Sequence, residues 1–252
     1  MLERSHEYEK MAHVEQEHWW YVALHHLVLR ALRRRFAHVD PAIIDAGCGT
    51  GGLMLFLRDR GYSDLQGFDL SENAVRYCRA RRLNAVQDNL LNIASRYPAG
   101  SADAIVSNDT IYFLDQAERQ RFVQECHRVL RVDGILIFNV PTLAAFAGIH
   151  DLSVGIKQRL SKASVRDLLP PDRFDLLIEL YWPFLLSPLV FLVRLAQRAR
   201  MRRANAIEVR SDIDLPNRVV NTLLGGLTRL ENGWLPVKPW GSSLFVVAQR
   251  ID

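Results

Sequence analysis

An α/β fold with a mainly parallel sheet is predicted by three features: short apolar runs alternating with amphipathic stretches, a glycine-rich turn after the first run, and a carboxylate ending the second. An N-terminal helical region comes first. From Tyr8 to Phe36 apolar residues such as Met11, Val14, Trp19, Val22, Leu24, Leu27, Val28, Ala31 and Leu32 recur at intervals of three and four. Pro41 introduces the first strand, Ala42 to Asp45, which breaks at Gly47, Gly49, Gly51 and Gly52 before helical character resumes at Leu53 to Leu57. The second strand is Leu65 to Asp69, followed by a helix for which Ser71 is the N-cap. A third strand spans Asn84 to Gln87 and a fourth Asp103 to Ser107. A helix from Gln116 to Leu130 then precedes a fifth strand, Gly134 to Asn139, which Pro141 ends. Past Pro141 the reading is a strand at Phe174 to Tyr181, helical stretches at Phe184 to Met201 and Pro216 to Leu230, and a last strand at Ser243 to Ala248.

The 252 residues fit one enlarged domain, divided as an N-terminal helical cap (1–38), a core (39–181), a helical insertion or lid (182–240) and the last strand (241–252). With 49% hydrophobic and 24% charged residues the chain has the composition of a folded domain, which excludes disorder, collagen and coiled coil. Cys48, Cys78 and Cys126 form no CxxC pair, so neither a disulfide framework nor a metal site is expected, and the N-terminus lacks the apolar core of a signal peptide. A cytoplasmic location is expected. Leu180 to Val193 is too short and too proline-broken to span a bilayer, but it runs into Arg194, Arg198, Arg200, Arg202 and Arg203. Segment 180–203 therefore has the makings of a peripheral contact with the inner face of a membrane.

The glycine turn carries the chemistry. Gly47-Cys-Gly-Thr-Gly-Gly52 satisfies GxGxxG, and Asp69 follows at the end of the next strand, where a carboxylate suits a ribose diol. Any ligand with an adenosine half fits this much, a nicotinamide dinucleotide included. Asp45 discriminates: a pyrophosphate on this loop meets a like charge, whereas the sulfonium and ammonium of S-adenosylmethionine meet an opposite one. The helix beginning near Leu53 would then offer its positive end to the methionine carboxylate.

Ile43-Ile-Asp-Ala-Gly-Cys-Gly-Thr-Gly-Gly52 resembles the first motif of the class I S-adenosylmethionine-dependent methyltransferases. The resemblance implies a Rossmann-like seven-stranded sheet, helices on both faces, and an antiparallel last strand inserted beside the fifth. It also implies S-adenosylmethionine as cofactor, S-adenosylhomocysteine as product, and a loop site made by Asp45, Gly47, Cys48, Gly49 and Gly51. Leu65 to Ser71 is similar to the second motif, with Asp69 on the ribose hydroxyls and Leu70 against the adenine. Gln87 to Leu90 resembles the third, with Asp88 accepting from the adenine amino group and the backbone of Asn89 assisting. Ser107 to Leu114, including Asn108, occupies the fourth, beneath the methyl donor. Tyr112 and Phe113 stand there in place of a frequent Glu-His pair, which takes that pair out of the catalysis. His18 to Tyr21 (His-Trp-Trp-Tyr) and the C-terminal Pro-Trp-Gly-Ser-Ser are similar to those of a bacterial small-molecule branch.

Methyl transfer from a sulfonium is an SN2-like displacement, and a base is needed only where the nucleophile carries a proton. His18 and His150 are the candidate bases, with His25 and His26 behind them, and Tyr21 and Tyr112 are candidate closing and positioning groups. The expected acceptor is a small, hydrophobic or lipid-like molecule. The alternatives are a nucleic-acid methyltransferase using 194–203, disfavoured by the absence of an Asn-Pro-Pro-Tyr type motif, and a non-catalytic binder of the donor or its product.

Overall fold

The computed structural model describes residues 5–148, 151, 155, 156, 158–203, 214–235 and 237–252. Its strands are β1 (Ile43–Ala46), β2 (Leu65–Asp69), β3 (Ala85–Gln87), β4 (Ala102–Asn108), β5 (Leu130–Pro141), β6 (Phe174–Trp182) and β7 (Ser243–Arg250), in one sheet ordered β3-β2-β1-β4-β5-β7-β6. β1 through β5 pair in parallel, and β7 runs antiparallel between β5 and β6. The expected Rossmann-like sheet with an antiparallel last strand is thus observed. The order turns back between β1 and β4, and at such a switch point the carboxyl ends of the strands open a crevice for a ligand.

Alternation along the strands divides the core into two layers. Ile44, Ala46, Phe68, Ile105, Leu136, Phe138, Leu244 and Val246 face one side. They are covered by Ile93 of α5 (Ile93–Arg96), by Phe122, Val123 and Cys126 of α6 (Gln116–Val129), and by Val165 and Leu168 of α7 (Lys162–Leu168). Ile43, Ala104, Val106, Ile135, Ile137, Phe245 and Val247 face the other. Over them lie Leu24, Leu27, Val28, Ala31 and Leu32 of α2 (Trp19–Arg35), Leu53, Met54 and Leu57 of α3 (Gly52–Arg58), and Cys78 of α4 (Glu72–Ala80). Buried on both faces, the strands lose the polar alternation of a solvated sheet and read as continuous apolar runs.

Several sequence expectations need correction. α2 is a layer of the core rather than a cap; only α1 (Ser5–Val14) and the residues joining it to α2 lie over the loop. β5 begins four residues before Gly134, at Leu130, which pairs with Ala102; the exposed Arg131, Val132 and Asp133 fall in the register shift before Ile135 pairs with Ala104. Ser71 stands at the N-cap of α4, but its side chain makes no capping bond and its Oγ is buried without a partner. α6 instead carries a full capping box between Asp115 and Glu118.

The excursion after Trp182 contains α8 (Ser187–Arg203) and α9 (Arg218–Trp234). One buried carboxylate fastens it. Glu231 accepts from the backbone N–H groups of Phe184 (2.9 Å) and Leu185 (2.8 Å) and from Lys238 Nζ (3.2 Å). Both side chains of this ion pair are fully buried, so removing one partner strands the other charge out of water. Asn221 ties the other end of α9 to α2 by accepting from Trp19 N at 2.9 Å and donating to Glu17 O at 2.8 Å. Lys238→Met is expected to lower stability by ~3–5 kcal/mol and to open α9 to proteolysis. Denaturant unfolding and limited digestion check this; an unchanged midpoint and cleavage pattern would show that the pair does not hold the excursion.

Candidate functional site

The site is built where β1, β2 and β4 end. Gly47, Gly49 and Gly51 have φ of 81°, 54° and 86°, the left-handed region that L side chains avoid. Thr110 occupies the space a Cβ on Gly47 would need, and the Met11 sulfur lies 3.2 Å from where a Gly49 Cβ would stand. The turn therefore needs glycine both for its backbone shape and for close approach. It hangs from β2 by Gly47 N and Cys48 N, which donate to Phe68 O at 2.8 and 3.0 Å, and by Gly49 N, which donates to Asp69 Oδ2 at 3.0 Å.

Four carboxylates crowd this edge. Asp45 is buried at the end of β1, and no described residue donates a hydrogen bond to it. Burial, then the charges of Asp69 and Glu15, push its pKa up to about 8. Asp69 also accepts from Ser71 N at 2.9 Å; burial raises its pKa against the pull of its two backbone bonds. Glu15, which sequence reasoning missed, reaches in from the end of α1, accepts from the backbone of Gly52 and pairs with Arg81. Arg81 in turn donates to Ala12 O (2.7 Å) and Thr50 O (2.9 Å), clasping α1 and the loop together. The N-terminus of α3 is thus already served by Glu15, which corrects the expectation that it lies open to a ligand carboxylate.

At the end of β4, Asn108 Oδ1 is buried without a partner. Next to it Asp109 adopts φ 52°, a strained conformation for a residue with a side chain. Its Oδ1 accepts from Asn139 Nδ2 at 2.9 Å, and Asn139 Oδ1 accepts from Trp182 Nε1 at 2.8 Å. Burial raises the pKa of Asp109 to about 7 although the Asn139 bond opposes it. Tyr21 and Tyr112 both sense this charge, and burial first, then Asp109 among other groups, holds their hydroxyls protonated. Trp182 stacks on Trp20 (5.3 Å, 23°), and Trp20 meets Tyr21 edge-on at 5.3 Å. Sequence reasoning passed over Asp109, although it directly follows Asn108 in the fourth motif.

Other expected residues have different surroundings. His18 caps α2: its Nδ1 accepts from Trp20 N at 3.3 Å, and burial lowers its pKa to about 4, which disarms it as a base near neutrality. His25 is a core residue beside Phe56 at 5.2 Å, its pKa lowered to about 3 by burial and by the neighbouring His26 and Arg60. His150 lies outside the described residues. Its neighbour Asp151 is held by Arg159 through two 2.7 Å contacts. Cys48 packs its sulfur 3.9 Å from that of Cys78, beneath the loop rather than toward a ligand. Leu70 is exposed beside Asp69, as an adenine platform requires. Asp88 has most of its acceptors engaged, by Asn92 (2.8 Å), Arg96 (2.5 Å) and the Asn89 N–H (2.8 Å), so that N–H is not free for a base. Asn89 spends its side-chain oxygen on Leu91 N.

Residues 44–138 match a family described as "Methyltransferase domain". A Mycolicibacterium smegmatis protein named as a probable S-adenosylmethionine-dependent methyltransferase is 31% identical over 165 residues, 64% of this chain and 61% of its own length. A malonyl-acyl-carrier-protein O-methyltransferase of Enterobacter lignolyticus is 38% identical over 121 residues, 47% of this chain and 44% of its own. The match thus spans roughly half of each of these relatives. Among solved structures, a SAM dependent methyltransferase of Archaeoglobus fulgidus shares the fold at a TM-score of 0.57 and 14% identity, covering 89% of this chain and 94% of that one. Sheet order and glycine turn are those expected of a class I S-adenosylmethionine-dependent methyltransferase, and residues 44–138 are similar to the methyltransferase domain of such enzymes.

The residues present fit that cofactor: an unpartnered Asn108 oxygen and the undersatisfied Asp45 carboxylate suit a cationic amino acid moiety, and Asp69 keeps lone pairs for the ribose. Because Asp45 titrates near 8 in the free protein, a cation bound beside it must drive off a proton. Affinity for S-adenosylmethionine is therefore expected to rise by up to about tenfold per pH unit toward pH 8 and then level off. Asp45→Asn should flatten this dependence and weaken binding by ~1.5–3 kcal/mol. Calorimetric titration across this pH range checks both; pH-independent affinity of the wild type would remove Asp45 from the site.

Proposed function

We propose that the chain methylates a proton-bearing oxygen of a small, apolar acceptor, with Asp109 as general base. The observation that carries this is Asp109 itself: a half-buried carboxylate at the carboxyl end of β4, strained in backbone, fixed by Asn139 and titrating near neutrality. A base poised at about the working pH combines a usable deprotonated fraction with adequate proton affinity. When bound, S-adenosylmethionine supplies an electrophilic methyl carbon. Asp45 would counter its positive charge, Asp69 would hold its ribose, and Leu70 would support its adenine.

Asp109 takes the acceptor proton on its carboxylate, while Asn139 fixes the orientation of that carboxylate and is fixed by Trp182. Tyr21 and Tyr112 remain protonated and serve as donors that position the acceptor oxygen. Trp20, Tyr112 and Phe113 give this end of the site an aromatic character that favours an apolar acceptor; the Tyr112 and Phe113 rings lie 4.4 Å apart. The O-methyltransferase named above supports oxygen as the receiving atom. A nucleic-acid acceptor has no such support, since the positive charge of the chain concentrates in the excursion rather than around Asp109.

The test follows transfer of labelled methyl groups to hydroxy fatty acids and phenols at saturating S-adenosylmethionine, with malonyl thioesters, whose ionised carboxylate needs no base, as the contrast. The rate should rise with pH through about 7, because the base works deprotonated. Asp109→Asn should cost roughly 10²–10⁴-fold in kcat, abolish that limb, and leave cofactor affinity within a few-fold. Cofactor binding without transfer to any of these acceptors would favour a non-catalytic binder, and a retained pH limb in the variant would reject Asp109 as the base.

A further inference from the structure

α9 is amphipathic the wrong way round for a helix of a soluble domain. Its inward stripe holds Asn221, Thr228 and the buried Glu231, while Val219, Val220, Leu223, Leu227, Leu230 and Trp234 face solvent. Exposure reaches 62% at Leu223, 69% at Val219 and 81% at Trp234. An apolar outer face of this extent marks an interaction surface rather than scattered exposed residues. It continues past the helix into Val237 and Trp240, and Trp240 packs on Phe184 at 5.0 Å beside the start of α8, where Leu189 and Leu192 are exposed in turn.

Charge selects the occupant. Nine Lys and Arg against four Asp and Glu fall within 182–240, leaving twenty-three against twenty-four in the rest of the chain. The excursion thus holds the whole net positive charge. Of the acids in its described residues, Glu231 is buried against Lys238, and Asp214 is paired with Lys10 at 3.1 Å. Arg218 and Arg229 flank the apolar stripe, and Arg229, Arg33 and Arg60 all lie close enough to His26 to oppose its protonation. A two-fold contact would set this patch against itself, cation against cation, with no free carboxylate on the described face of α9 to answer. A bilayer rich in anionic headgroups answers both properties, burying Val, Leu and Trp side chains at the interface while the arginines meet the phosphates.

We propose that the outer face of α9, continued toward the start of α8, is a docking surface for an anionic membrane. This rests on the surface alone and not on the methyl-transfer reading. The fold supports it, because the buried Glu231–Lys238 pair and Asn221 hold the polar side of α9 inward and leave its apolar side exposed among the described residues.

The 252-residue chain is sedimented with vesicles of phosphatidylcholine alone and of phosphatidylcholine with phosphatidylglycerol, at low and high salt and without cofactor. Binding is expected to the anionic vesicles only and to fall with salt. Leu223→Ser with Trp234→Ser should weaken it by about tenfold or more, with unfolding midpoint and cofactor affinity unchanged. Arg218→Gln with Arg229→Gln should weaken it several-fold and reduce the salt effect. Absence of binding to anionic vesicles at low salt overturns the proposal. So does a wild-type dimer in sedimentation equilibrium that Leu223→Ser converts to monomer, which would assign the face to a second copy.

Discussion

The cost of keeping negative charge out of water at the carboxyl edge of a parallel sheet governs this molecule. Asp45, Asp69 and Glu15 converge on one glycine turn, and among the described residues Arg81 alone pairs directly with one of them. A buried carboxylate is stable only when donors or cations face it. Asp69 has the Gly49 and Ser71 N–H groups and Glu15 has Arg81, but Asp45 has neither, so its proton stays on to unusually high pH. A cation brought beside Asp45 would favour its ionised form, which is a physical reason for a sulfonium or ammonium ligand that needs no motif.

The same edge explains why the aromatic residues gather at its rim. Asp109 is steadied by Asn139, Asn139 by the indole of Trp182, and Trp182 by stacking on Trp20. This chain of contacts runs from β4 through β5 and β6 to the start of α2, so Asp109 is fixed by elements distant in sequence. A substitution at Trp182 acts on Asp109 through Asn139, two hydrogen bonds away, without touching any ligand. Preorganisation of this kind places a side chain to within the tolerance that proton transfer demands.

The glycine turn, Asp45, Asp69 and the positions of the strands along the chain were legible because each depends on local sequence: left-handed backbone selects glycine, and strands buried on both faces read as apolar runs. What stayed hidden depends on distance in space. Nothing near Glu15 in sequence shows that it meets Arg81, 66 residues away, or that it serves the first turn of α3. His18 looked like a base because an imidazole titrates near neutrality, yet burial and a capping bond to Trp20 N turn it into a structural acceptor. Asp109 looked like one acid among many until burial and its backbone strain set it apart.

α9 shows a more general limit. Periodicity reveals that a helix has two faces but not which one is buried, and the usual assignment puts the apolar face inward. Here the inward face is chosen by specific polar contacts: Asn221 bridges Trp19 and Glu17, and Glu231 gathers two backbone N–H groups and Lys238. The Glu231–Lys238 pair is fully buried, where leaving a bond unmade costs its full desolvation, so with the Asn221 contacts at the other end it can hold the helix against the pull to bury Leu223, Leu227 and Leu230. An inverted helix of this sort keeps a large apolar area in water for as long as it stands alone. Its persistence in the fold is therefore itself an argument that the surface meets an apolar phase outside the chain.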